Sequence, residues 1–191
     1  MTSERDSFRR VFDACYPKLM AYARRRTDAA VADDVVADTF LVAWRRRTEF
    51  LNLDRQLPWL YGVAGNQLRN HNRSADRHLR LVARAGSEPV SPTRDADSVV
   101  DALVDAERVR QALGTLSFDD QEVLRLIAWE ELSYAEAAVA LDCSTDALGQ
   151  RLRRAKQRLA NALTQPDTTT EATSPEATST LSSDHPITEV R

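Results

Sequence analysis

Apolar residues recur every three or four positions over most of this chain, a period that admits little besides packed amphipathic helices. Phe8, Val11, Phe12, Cys15, Tyr16, Leu19, Met20 and Ala23 form the first stripe, in a helix that Pro17 is expected to kink or break. Cys15 lies on that stripe with no histidine near it in sequence, so it reads as core filler and not as a nucleophile. A second helix is predicted from about 29 to 47, capped by Thr27 or Asp28, with Val31, Val35, Val36, Phe40, Ala43 and Trp44 apolar. Residues 48–56, with Asn52 and Asp54, lose the period and read as a loop. Pro58 then suits the first turn of a third helix. That helix turns Trp59, Leu60, Val63, Ala64 and Leu68 to the core and Asn66, Arg69, Asn70 and Arg73 to another face. Trp44 and Trp59 fall at core-like positions, which predicts their burial.

The period stops at 86–98, where two prolines and a glycine mark an internal linker. Beyond it Val100, Leu103 and Val104 open a helix that ends near Leu113 and Gly114. Ser117 with Asp120, and Ser133 with Glu136, carry the spacing of capping boxes. The second opens a short helix ending at Leu141. After Asp142 and Cys143, a cap at Ser144 or Thr145 starts a helix with Leu148, Leu152, Ala155, Leu159 and Leu163 on one side. Two helices joined by so short a turn have helix-turn-helix spacing. Residues 165–191 are rich in Thr, Ser, Pro and acid, and are expected to be disordered. The fold class is therefore all-α. Two small helical domains, 1–85 and 99–164, are joined by a linker at 86–98 and followed by the tail 165–191.

Charge narrows the function. The net value is -3, yet residues 42–84 hold nine Arg against three acids, residues 106–143 three Arg against eight acids, and residues 144–164 five basic residues against Asp146 alone. Two basic blocks separated by an acidic one suggest two surfaces for a polyanion. In the last helix the apolar stripe forces Gln150, Arg151, Arg153, Arg154, Lys156, Gln157 and Arg158 outward. Such a helix fits the major groove of DNA, where Arg can read guanine and Gln adenine while other cations neutralise phosphates. The first block sets Trp44, Phe50, Trp59 and Tyr61 among Arg and Asn, an arrangement suited to unpaired bases. No phosphate-cradling loop, catalytic constellation or metal-ligand spacing occurs, and His71 and His78 read as solvated or phosphate-facing, so neither an enzyme, a cofactor nor a metal site is expected. Two cysteines are too few for a disulfide framework or a four-ligand zinc site. With no apolar run of about 18 residues, no membrane insertion is expected and a cytoplasmic location fits best.

Four fragments in order resemble a known family: Ala32-Asp-Asp-Val-Val-Ala-Asp-Thr-Phe-Leu-Val-Ala-Trp44, Trp59-Leu-Tyr-Gly-Val-Ala-Gly-Asn66, Leu132-Ser-Tyr-Ala-Glu-Ala-Ala-Val-Ala-Leu141 and Arg151-Leu-Arg-Arg-Ala155. The chain resembles bacterial RNA polymerase sigma factors of the sigma-70 family, extracytoplasmic-function (ECF) subfamily. The resemblance implies a protein that directs promoter-specific transcription initiation. It assigns Asp33, Asp34, Asp38, Phe40 and Trp44 to the β′ clamp helices of core RNA polymerase, and implies contact with the β flap. Phe50, Asn52, Asp54, Asn66, Arg69, Asn70 and Arg73 would bind and open the -10 element. Thr145, Asp146, Gln150, Arg151, Arg153, Arg154, Lys156 and Arg158 would read the -35 element. An anti-sigma factor is a further partner class the resemblance implies. The chain departs from the family pattern at Ala37, Gly62, Gly65, Asn70 and Asp142. The alternative is a stand-alone helix-turn-helix regulator whose N-terminal half is a partner or sensor domain.

Overall fold

A computed structural model describes residues 3–84 and 100–164. The linker at 86–98 and the tail from 165 lie outside the described residues. Eight helices follow one another: α1 (Glu4–Arg24), α2 (Ala29–Arg45), α3 (Arg47–Leu51), α4 (Gln56–Arg84), α5 (Val100–Gly114), α6 (Phe118–Ala128), α7 (Tyr134–Ala140) and α8 (Thr145–Thr164). No strand occurs among the described residues.

Helices α1, α2 and α4 pack around Leu19, Tyr22, Ala23, Val36, Leu60, Ala64 and Leu68, all essentially removed from solvent. Pro17 does not break α1. It lies on the exposed side, where the carbonyl left without a partner by its missing N–H can be hydrated. Asp28, not Thr27, caps α2, its carboxylate accepting from the Val31 amide at 2.9 Å. The expected loop at 48–56 is half helical. Residues 47–51 close one extra turn, α3, which buries Phe50 to 1% exposure and is entered through the Arg46–Glu49 ion pair. Trp44 is not buried: it is 38% exposed, with Phe8 packed edge-on at 5.0 Å and the Arg47 guanidinium over its face. Trp59 is half-buried against Phe50.

In the second half α6, α5 and α7 surround α8, with Val123, Leu126, Leu148, Leu152 and Ala155 at the centre. Ser133 and Glu136 form a complete capping box at the start of α7. At its other end Cys143 N–H donates to the Ala138 carbonyl at 3.0 Å and Asp142 N–H to that of Val139 at 3.3 Å, the two bonds of a Schellman motif. That motif needs a left-handed residue between them, and Asp142 supplies it at φ 46°. Ser144 then caps α8 through the Ala147 amide.

The two halves are in contact. Helix α7 lies on α4 so closely that a Cβ at Gly62 would stand 2.7 Å from the Ala140 carbonyl oxygen. One continuous cluster of buried side chains runs through both halves.

Candidate nucleic-acid interface

The outward face of α8 is a dense cationic surface. Leu148, Leu152 and Ala155 are buried, and this rotation leaves Gln150, Arg151, Arg153, Arg154, Lys156 and Arg158 exposed. Thr145 and Asp146 are exposed at its N-terminus. Arg158 is held by Asp120, Nη1 donating to Oδ2 at 2.5 Å, which ties the C-terminal part of the face to α6. The same Asp120 carboxylate accepts from the Ser117 hydroxyl at 2.8 Å, so the start of α6 and the middle of α8 are fixed together.

A second surface follows the turn between α3 and α4. Asn52 and Asp54 are exposed there, as are Asn66, Asn70 and Arg73 along α4. Arg69 is partly covered. Its Nη1 donates to Asn66 Oδ1 at 3.1 Å and its Nη2 to Asp119 Oδ1 of the second half at 2.7 Å, and its guanidinium lies over the Phe118 ring. Phe50 stands apart from this group. Buried between Phe8 and Trp59, it presents no face to a nucleobase, because the extra turn α3 directs it inward.

On α2 the carboxylates of Asp33, Asp34 and Asp38 point to solvent with Leu41 and Trp44, giving an acidic face with an apolar edge. Phe40 is not part of that face: it is 6% exposed and packs on Phe12 at 4.5 Å. Arg24 lies 4.0 Å from Asp33.

A polar seam, which sequence reasoning missed, joins the halves. Arg26, 2% exposed, donates from Nε to Glu122 Oε2 at 2.8 Å and from Nη1 to Glu130 Oε1 at 3.0 Å. Arg25 reaches the other oxygen of Glu130 at 2.5 Å. Tyr22 donates its hydroxyl to Glu122 Oε1 at 2.7 Å, lies under the Arg26 guanidinium at 3.6 Å, and stacks on Tyr61. Burial, reinforced by the Glu122 carboxylate, pushes the Tyr22 hydroxyl well above its ordinary range and keeps it a donor. Burial alone would lower the Arg26 pKa, but Tyr22 and the two carboxylates outweigh it and hold the guanidinium charged. At the far edge Arg55 pairs with Glu136. Glu136 already accepts from the Ser133 hydroxyl and amide, and these bonds, with Arg55, bring its carboxyl down to about 2. The available signal was the run Arg24-Arg25-Arg26 in one half and the acidic excess of 106–143 in the other.

Cys15 is buried, and burial pushes its thiol upward, as suits a core residue. Among the described residues no cluster of His, Cys, Asp and Glu has the makings of a metal site, and no helix is long and apolar enough to cross a membrane.

Comparison with known proteins bears on both surfaces. The family model described as Sigma-70 region 2 matches residues 11–78, and that described as Sigma-70, region 4 matches residues 106–159. RNA polymerase sigma factor NccH of Alcaligenes xylosoxydans xylosoxydans is 30% identical over 130 residues, covering 66% of this chain and 70% of that protein. ECF RNA polymerase sigma factor SigL of Mycobacterium tuberculosis is 30% identical over 153 residues, covering 79% of this chain and 85% of SigL. Among solved structures, the sigma factor RpoE of Bartonella quintana, in complex with the anti-sigma factor NepR, matches with a TM-score of 0.60 and 25% identity. The match covers 82% of this chain and 96% of that one.

Proposed function

The chain belongs to the sigma-70 family of RNA polymerase sigma factors, in the ECF subfamily, and from that membership we propose which of its residues meet polymerase and which meet DNA. It is a sigma factor that binds core RNA polymerase and directs promoter-specific transcription initiation. The exposed carboxylates Asp33, Asp34 and Asp38, with Trp44, form the surface for the β′ clamp helices, and the second half docks on the β flap. Asn52, Asp54, Asn66, Arg69, Asn70 and Arg73 engage the -10 element. The α8 face, from Thr145 to Arg158, reads the -35 element as duplex. Phe40 and Phe50 leave these sets, since both are buried.

The single observation that carries the assignment is the α8 face: five cations on the open side of a helix whose other side is locked in the core. The same geometry bears on mechanism. Drawing a base out of the duplex costs a few kcal/mol, and its capture by a polar cleft offsets that cost without ATP. The exposed amides of Asn66 and Asn70 and the partly covered Arg69 guanidinium along α4 suit such a capture. This is a specificity subunit without catalytic groups or cofactor of its own, acting in the cytoplasm. The complex of RpoE with NepR supports control by an anti-sigma factor. The stand-alone regulator finds no support, because the half it would leave to a sensor matches Sigma-70 region 2.

Run-off transcription of sheared genomic DNA by core polymerase, with and without this protein, tests the assignment by sequencing RNA 5′ ends. New ends sharing two upstream elements at fixed spacing are expected. Arg153→Ala with Arg154→Ala should weaken dependence on the upstream element, and Asn66→Ala with Asn70→Ala on the downstream one. Unaltered use of both elements by these variants would overturn the residue assignment.

A further inference from the structure

Three of the four glycines among the described residues have a use inside the chain. A Cβ at Gly62 would stand 2.7 Å from the Ala140 carbonyl oxygen, one at Gly65 would stand 3.0 Å from the Tyr22 hydroxyl oxygen, and Gly114 closes α5. Gly149 has no such use. It lies in the second turn of α8, where a Cβ would meet nothing within 4 Å and no left-handed backbone calls for it. After proline, glycine is the costliest residue in a helix interior, which points to a use outside the chain.

The surroundings of Gly149 narrow what that use can be. One turn before it stand Thr145 and Asp146, one turn after it Arg153, and two turns after it Lys156, all exposed. Gly149 is thus a gap in the outward face of α8, floored by bare backbone and bordered by longer side chains. Within α8 its N–H and carbonyl are engaged by the helix ladder, so the gap discriminates by shape and not by hydrogen bonding. The Asp146 carboxylate at its edge opposes a phosphate. Of the groups that base pairs present in the major groove, the C5 methyl of thymine is the one that projects as an apolar knob.

We propose that Gly149 is a specificity-determining residue of α8, forming a notch that receives the C5 methyl of one thymine in the upstream promoter element. The inference rests on the reading of α8 as the helix that meets the -35 element. With no Cβ, the helix backbone comes closer to that base pair than any other residue would allow. A Cβ at 149 and the thymine methyl compete for one space, whereas uracil, which lacks only the methyl, leaves the notch unfilled. Lengthening the residue therefore raises helix stability and lowers DNA affinity together, a pairing that a merely structural glycine would not produce.

The test uses the full chain assembled with core polymerase, and as probe a labelled promoter duplex recovered by the run-off transcription described above. Gly149→Ala and Gly149→Leu are compared with the unmodified chain. Both place a better helix former at the site, and thermal unfolding followed by circular dichroism checks that they fold. Fluorescence anisotropy reads affinity for the probe, and for probes in which each thymine of the upstream element is replaced in turn by uracil. Gly149→Ala is expected to lower affinity for the thymine probe about tenfold, the scale on which one methyl group discriminates, and Gly149→Leu to lower it further. Uracil at one position should restore binding to Gly149→Ala while weakening binding to the unmodified chain. Unchanged affinity in both variants, or a loss that uracil relieves at no position, would overturn the proposal. Arg153→Ala with Arg154→Ala is measured beside these. If that pair leaves use of the upstream element unaltered, the reading of α8 itself fails; if it weakens that use while Gly149→Ala and Gly149→Leu bind as the unmodified chain does, the notch alone fails.

Discussion

Phe50 and Asn52 lie two residues apart and answer to different demands. Phe50 is enclosed by Phe8 and Trp59, and Asn52 ends α3 with its side chain in water. Phe50→Ala should therefore lower stability by about 3–5 kcal/mol in denaturant unfolding. Asn52→Ala should shift it by no more than about 0.5 kcal/mol and show its effect in promoter opening. The same logic applies to Gly149 on α8, around which a Cβ meets nothing within 4 Å. Gly149→Ala should stabilise the helix by about 1 kcal/mol, read as a raised melting temperature. At this scale the sequence was legible where a residue's side is set by its own helix: the exposed set on α8 follows from the stripe Leu148, Leu152, Ala155. It was misleading for Trp44, which falls on the stripe and is yet 38% exposed, because what covers an aromatic ring comes from another helix, here α1 through the edge of Phe8.

Among the elements, α7 concentrates the consequences. Its C-terminus places Asp142 at φ 46°, a conformation that costs a side-chain-bearing residue about 1 kcal/mol relative to glycine. Asp142→Gly should accordingly raise the stability of the helix-turn-helix by about 1 kcal/mol in thermal unfolding. Its N-terminus depends on Glu136, whose carboxyl is lowered from an ordinary 4.5 to about 2. The folded state thus binds this proton less readily than the unfolded chain does. The stabilisation is complete above pH 4.5 and is lost as pH falls toward about 2. Acid titration followed by far-ultraviolet circular dichroism should show that loss in the native chain, and Glu136→Gln should remove this contribution to the acid transition. Both ends of α7 were legible, since caps are local in sequence. The turn α3 was not: five residues are too few to display a periodic stripe, and its register is held by Phe50 packing on α1.

For the whole molecule, charge placement governs behaviour toward DNA. If the α8 cations neutralise phosphates, the logarithm of duplex affinity falls linearly with the logarithm of salt, and Arg154→Ala should make that slope shallower by about 1. Anisotropy titrations across several salt concentrations measure it. The helical architecture was readable because period is a property of each segment. The seam escaped because ion pairs between residues about 100 positions apart, such as Arg26 with Glu122, leave no periodic trace. The seam also bears on biosynthesis. Arg26 leaves the ribosome long before Glu122 and Glu130 exist to receive it, and domains fold in order of emergence. During that interval the nascent first half carries a hydrated cation at its unfinished edge, where an apolar residue would have invited neighbouring chains to stick.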